Sequence, residues 1–193
     1  MARFSIVAKA FWVASLWTCL SAGAVFAAEI KLKQPGIWNY EDQNVRIEVR
    51  LQGPENMGAF YEARGFTRAA IELVAAKCFV TVSILNKHYP VLWLEPPRWS
   101  IVTKDKTIKR YPIDYWQQQF DSVALPAAKQ AAFRWTQLPE QRDLRVDEPV
   151  GGNISLPPLT EKFTLFMVFD IGSDRAKHLQ MKFPDLYCKG RLQ

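Results

Sequence analysis

Across residues 44–51 apolar and charged side chains alternate: Val45, Ile47, Val49 and Leu51 on one side, Arg46, Glu48 and Arg50 on the other. A strand turns such alternation into one dry and one wet face, so a half-buried strand is expected here. Residues 53–58, with Gly53, Pro54 and Gly58, read as the turn that closes it. After Thr67 the period changes. Ile71, Val74, Ala75 and Cys78 fall at i, i+3, i+4 and i+7, and Thr67 can cap, which predicts a helix from Arg68 to about Lys77. Residues 79–85 are β-branched and aromatic and predict a central strand. A turn at 86–90 leads to another strand at 91–94. Residues 99–103 and 107–110 flank Lys104-Asp105-Lys106 as a hairpin, and Pro112 opens a helical turn through Tyr115, Trp116 and Phe120. Residues 131–137 read as a strand. Residues 138–158 read as a long connection, because Pro139, Pro149, Gly151, Gly152, Pro157 and Pro158 all fall in it. Two more strands are expected at 163–169 and 178–183.

Seven or eight short strands with one or two short helices predict a mainly β fold, an antiparallel sandwich. The pattern over 79–90, a strand ending in Asn86 and followed by a turn containing Pro90, resembles Ig-like domains of exported bacterial proteins. The late aromatic strand followed by a terminal one adds to that resemblance, which spans residues 78–188. It implies an Ig-like sandwich and carries no activity with it.

The chain opens with Arg3 and Lys9, has no acid before Glu29, and is apolar or small from Ala10 to Leu20. The small residues after Leu20 offer Val25-x-Ala27 to a signal peptidase. A secretory signal over 1–28 follows, with the cut after Ala27 or, second, Ala28. An uncleaved anchor over residues 7–28 is the alternative. Lipid attachment does not fit, because Cys19 follows Trp17-Thr18 and not a small pair. Residues 29–193 then form one exported, periplasmic domain of about 165 residues. Loss of Arg3 and Lys9 lowers the net charge from +6 to about +4. Cys78 and Cys188 remain, an even pair that an oxidising compartment joins as a disulfide.

Candidate chemistry is sparse. The motifs of serine hydrolases, zinc peptidases, nucleotide-binding loops and dithiol centres do not occur. Cys78 and His88 are spaced like His178 and Cys188, and with Met167 or Met181 they could hold copper(I) or zinc. A disulfide would consume both thiols, so no metal and no cofactor is assigned. The 98–110 hairpin gathers Arg98, Lys104, Lys106, Lys109 and Arg110 beside Trp99 and Tyr111. Export argues against nucleic acid as its target and favours another envelope protein or an anionic surface. Trp93, Trp99, Trp116 and Trp135 would form a contact surface if exposed and core if buried. The 138–158 segment adds Arg142, Arg145, Asp147 and Glu148 as candidate partner contacts. Together these features predict a non-enzymatic accessory domain that binds another macromolecule. A metal or glycan binder, and a hydrolase using a carboxylate pair, Glu41–Asp42 or Asp147–Glu148, are the alternatives.

Overall fold

The structure is a computed structural model that describes residues 30–188; the leader read over 1–28 lies outside the described residues. Strands β1 (Lys31–Gln34), β2 (Ile37–Glu41) and β3 (Val45–Gln52) form an antiparallel meander. Asp42 sets the β2–β3 turn. Its Oδ1 accepts the amides of Asn44 (2.7 Å) and Val45 (2.8 Å), and its Oδ2 accepts the Tyr40 hydroxyl (2.6 Å). Helices α1 (Pro54–Glu62) and α2 (Arg68–Ala75) follow, then β4 (Cys78–Asn86), β5 (Leu92–Leu94), β6 (Ser100–Val102) and β7 (Thr107–Ile108). Helices α3 (Ile113–Ser122) and α4 (Ala127–Arg134) precede β8 (Arg142–Leu144), β9 (Glu148–Leu156), β10 (Phe163–Ile171) and β11 (Lys177–Leu186).

Among the described residues, five strands make one antiparallel sheet in the order β1-β2-β3-β4-β9 and six make the other. In the second sheet β10 pairs with β11 along one edge. Its other edge pairs first with β6 and then with β5, which carry β7 and β8 outside them. The expected antiparallel sandwich is therefore present. Val45, Ile47 and Val49 on β3 and Val80, Val82 and Ile84 on β4 meet Leu165, Met167, Phe169 and Phe183 from the facing sheet. The alternation seen in the sequence fixes this register, because a slip of one residue would turn every one of those side chains outward.

Four helices are described, more than the one or two expected, and they build a second core on the outer face of the first sheet. Phe79, one position from Val80, points away from the sandwich into a cluster with Tyr61, Trp116, Phe120 and Phe133. Ring centroids there lie 4.8–5.6 Å apart for Phe79–Trp116, Trp116–Phe133 and Tyr61–Phe133, the spacing of attractive aromatic pairs. The Trp116 indole N–H reaches Ser155 Oγ at 2.7 Å, so its one polar group is satisfied. Burial pushes the Tyr61 hydroxyl up to about 12, and it pairs with Thr136 Oγ1 at 2.6 Å.

Three segments differ from the sequence reading. Residues 53–58 are not a turn: Pro54 stands at the first helical position, which it favours, and α1 runs on from it. Residues 131–137 are not a strand, because Ala127, Ala128, Ala131 and Ala132 carry the helix α4 through Arg134. The 138–158 connection is mostly β8 and β9. Val150, Ile154 and Leu156 reach the core, and Pro149 and Gly151 are tolerated because β9 is an edge strand. Cys78, opening β4, and Cys188, just after β11, form the expected disulfide with Cα atoms 5.8 Å apart.

Candidate binding groove

Of the four tryptophans singled out in the sequence, the structure exposes one. Trp116 lies in the helical core. Trp99 is 6% exposed, sends its N–H to the Val168 carbonyl (3.2 Å) and meets the Phe169 ring edge-on, so it is core and offers no contact surface. Trp93 donates to the Gly172 carbonyl (2.9 Å) and is covered by the Arg175 guanidinium, 3.8 Å above its ring. Trp135 is 88% exposed.

The chain around Trp135 explains why it stays outside. Trp135 closes α4, its amide reaching the Ala131 carbonyl, and the amides of Thr136 and Gln137 finish the last turn on the Phe133 and Arg134 carbonyls. The chain then runs beside β9: Asn153 N–H donates to the Thr136 carbonyl, and Leu138 N–H donates to the Asn153 carbonyl, both at 2.9 Å. The two backbones come this close because residue 152 is glycine; a Cβ there would lie 2.5 Å from Leu138 N and 2.6 Å from Gln137 C. Past this contact the two strands of chain separate. They leave a groove of about 510 Å3 lined by Trp135, Leu138, Pro139 and Pro149, with the charged side chains Arg134, Glu140 and Arg142 also in its lining.

The charged groups nearby are mostly committed to one another. Arg142 pairs with Glu148, and Glu148 Oε2 also accepts the Arg145 amide at 2.9 Å. Those contacts, the amide first, hold the Glu148 carboxyl below the usual carboxylate range. Asp147 takes the left-handed conformation (φ 60°) of the β8–β9 turn, its amide on the Asn86 carbonyl at 2.7 Å. Arg145 pairs with Asp143 at 3.0 Å. Asp147 thus serves the turn through its backbone, and the Glu148 carboxylate, tied down and held ionised, is a poor proton donor near neutrality. Arg110 pairs with Glu140. Arg134 differs, since its hydrogen-bond partner is the neutral Gln117 side chain at 3.0 Å.

The other candidates are dispersed. Lys106 sits at the exposed tip of the β6–β7 hairpin, while Arg98 at the hairpin's base is bound to Asp170 (2.5 and 3.1 Å) and Glu95 (2.7 Å). The basic hairpin therefore splits into engaged arginines and exposed lysines. His178 Nδ1 lies 2.8 Å from Asp170 Oδ1, and both cysteines are in the disulfide, so the mirrored Cys/His set does not assemble. Among the described residues no group of three or more His, Cys, Asp and Glu is placed to hold a metal ion. A second groove of about 550 Å3 lies by the outer face of the second sheet at Phe166, Val168, Gln180 and Lys182. Its Phe166 is only 38% exposed, with the Lys182 ammonium 5.8 Å from the ring centroid.

No family model matches this chain, and no curated protein matches it. Two solved structures are similar to it at low level. The yjhA protein from Bacillus subtilis is 9% identical, with a TM-score of 0.41 over 75% of this chain and 95% of that one. The ycdA protein from Bacillus subtilis subsp. subtilis strain 168 is 9% identical, with a TM-score of 0.38 over 76% of this chain and 38% of that one.

Proposed function

We propose that this protein is an exported, non-enzymatic accessory domain that binds another envelope macromolecule through the Trp135 groove. The carrying observation is the 88% exposure of Trp135 in a groove that also holds Leu138, Pro139 and Pro149 among its charged and polar lining. Burying a large apolar side chain is worth about 1.5–3 kcal/mol, which a partner covering the indole would gain. Tryptophan is also among the residues that most often dominate binding energy. Export is supported by the Cys78–Cys188 disulfide, a bond that oxidising compartments preserve, together with the leader read over 1–28. Among the described residues no helix is long and apolar enough to cross a membrane.

A photoactivatable side chain placed at position 135, and in a second protein at position 106, tests the reading in intact cells. Position 135 is expected to yield one discrete adduct and position 106 none. Adducts from position 106 alone would move the binding face to the β6–β7 hairpin and remove the groove from consideration.

A further inference from the structure

The hydrogen-bond pattern of β9 says what kind of segment the groove receives. Asn153 sends both its N–H and its carbonyl away from β4, to Thr136 and Leu138, and the Ser155 carbonyl likewise accepts the Tyr111 amide at 2.8 Å. Backbone groups of alternate residues in a strand face the same edge, so residues 149 and 151 share that outward direction. Their even-numbered neighbours face β4. Pro149 agrees with this phase, because its missing N–H costs the β4 ladder nothing at an outward position. The slot beside β9 is thus filled by the chain's own backbone at 153–155. At 149–151 it opens into the groove, where the Gly151 N–H, the Gly151 carbonyl and the Pro149 carbonyl have no backbone partner among the described residues.

Two further features narrow the occupant. Gly151 is exposed and bears no side chain, so a second backbone can approach the edge directly. Of the groove's charged residues, Glu140 is paired with Arg110 and Arg142 with Glu148, whereas Arg134 is exposed and has the uncharged Gln117 as its partner. We infer that the groove takes a short, extended, acidic peptide segment of a partner protein, which adds as a strand to β9 at Gly151. In this arrangement the segment packs against Trp135 and places a carboxylate by Arg134. Backbone hydrogen bonds to a sheet edge supply affinity in such complexes, and the flanking side chains supply selectivity. Pro149 keeps the docking edge short, which guards it against indiscriminate pairing.

This inference rests on the Trp135 groove being the binding face, and the experiment separates the two. The full mature chain is panned against a random 12-residue peptide library displayed on phage, with a glycan array run in parallel. The expected result is enrichment of acidic, β-forming peptides. Their binding should vanish in Trp135→Ala, fall at least tenfold in Gly151→Pro, which removes the Gly151 amide, and survive in Gly151→Ala, which keeps it. An alanine Cβ at 151 would meet only the Val82 carbonyl, at 3.7 Å. Arg134→Gln should weaken the same peptides and reduce the salt dependence of their binding. Amide exchange in the unaltered protein gives a reading independent of variant folding: bound peptide should slow the Gly151 N–H at least tenfold. Peptides that need Trp135 but leave the Gly151 amide unprotected would overturn strand addition and leave the groove standing. Enrichment of basic sequences would overturn the acidic occupant. Trp135-dependent retention of a glycan without any peptide would overturn the peptide and keep the groove. No Trp135-dependent ligand of either kind would overturn both readings.

Discussion

Asp170 and Trp135 depart from their residue types in opposite directions, a carboxylate drawn inside and an indole left outside. Asp170 is 4% exposed and survives there because Arg98 reaches both of its oxygens and His178 the first. The Arg98 hydrogen bonds come first among the causes that hold its pKa below the ordinary aspartate value; burial opposes them, and His178 adds to them. A carboxylate depressed in the folded state contributes stability above its unfolded value of about 4, lost as pH falls through the lower folded value. Asp170→Asn is therefore expected to destabilise by about 1–3 kcal/mol at neutral pH. It should also flatten the stability loss below about pH 4 in urea titrations taken stepwise from pH 6 to pH 2. Trp135→Ala should leave stability within about 0.5 kcal/mol, as expected of an exposed position, while lowering the acrylamide-accessible part of the fluorescence. Trp99 and Trp116, both buried, should stay shielded from the quencher.

The junction of α4 with β9 makes the groove, and it turns on two adjacent glycines with different duties. Gly152 admits the crossing backbone of Gln137 and Leu138, so Gly152→Ala forces a displacement of main chain and is expected to cost about 1–3 kcal/mol. Gly151→Ala meets nothing closer than ordinary contact and should be nearly neutral. Paired urea denaturation curves of the two variants measure the difference directly. These same glycines, with Pro149, made residues 138–158 look like a loop. Local propensity penalises breakers on the assumption that both edges of a strand are paired, and β9 has one edge largely outside the sheet. The apolar spacing of Val150, Ile154 and Leu156 was the available sign of a strand. For α4 the alanines at 127, 128, 131 and 132 were the available sign of a helix.

Two cores hold the molecule together, one between the sheets and one between the first sheet and the helices. Phe79 anchors the helical core to β4, so Phe79→Ala is expected to cost about 3–5 kcal/mol, with the loss of near-ultraviolet signal concentrated in Trp116. The disulfide joins the start of β4 in one sheet to the end of the second sheet across a sequence separation of 110 residues. Reduction, or Cys78→Ala with Cys188→Ala, is expected to cost about 2–4 kcal/mol, mostly by freeing the unfolded chain. Thermal melts with and without reductant check it.

The sandwich was legible in the one-dimensional pattern because alternation, β-branching and paired cysteines are local or countable properties, and they specify faces and closure. So β3, β4, β10, the helix at 68–75 and the Cys78–Cys188 bond followed from residue order. The groove did not. Whether a tryptophan is core or surface depends on what the rest of the chain places over it, and four tryptophans that look alike in sequence met three different fates. Nor could spacing reveal that Gly152 lets Gln137–Leu138 occupy half of an edge and leave Gly151 open, since that contact joins segments that meet only once both cores are packed.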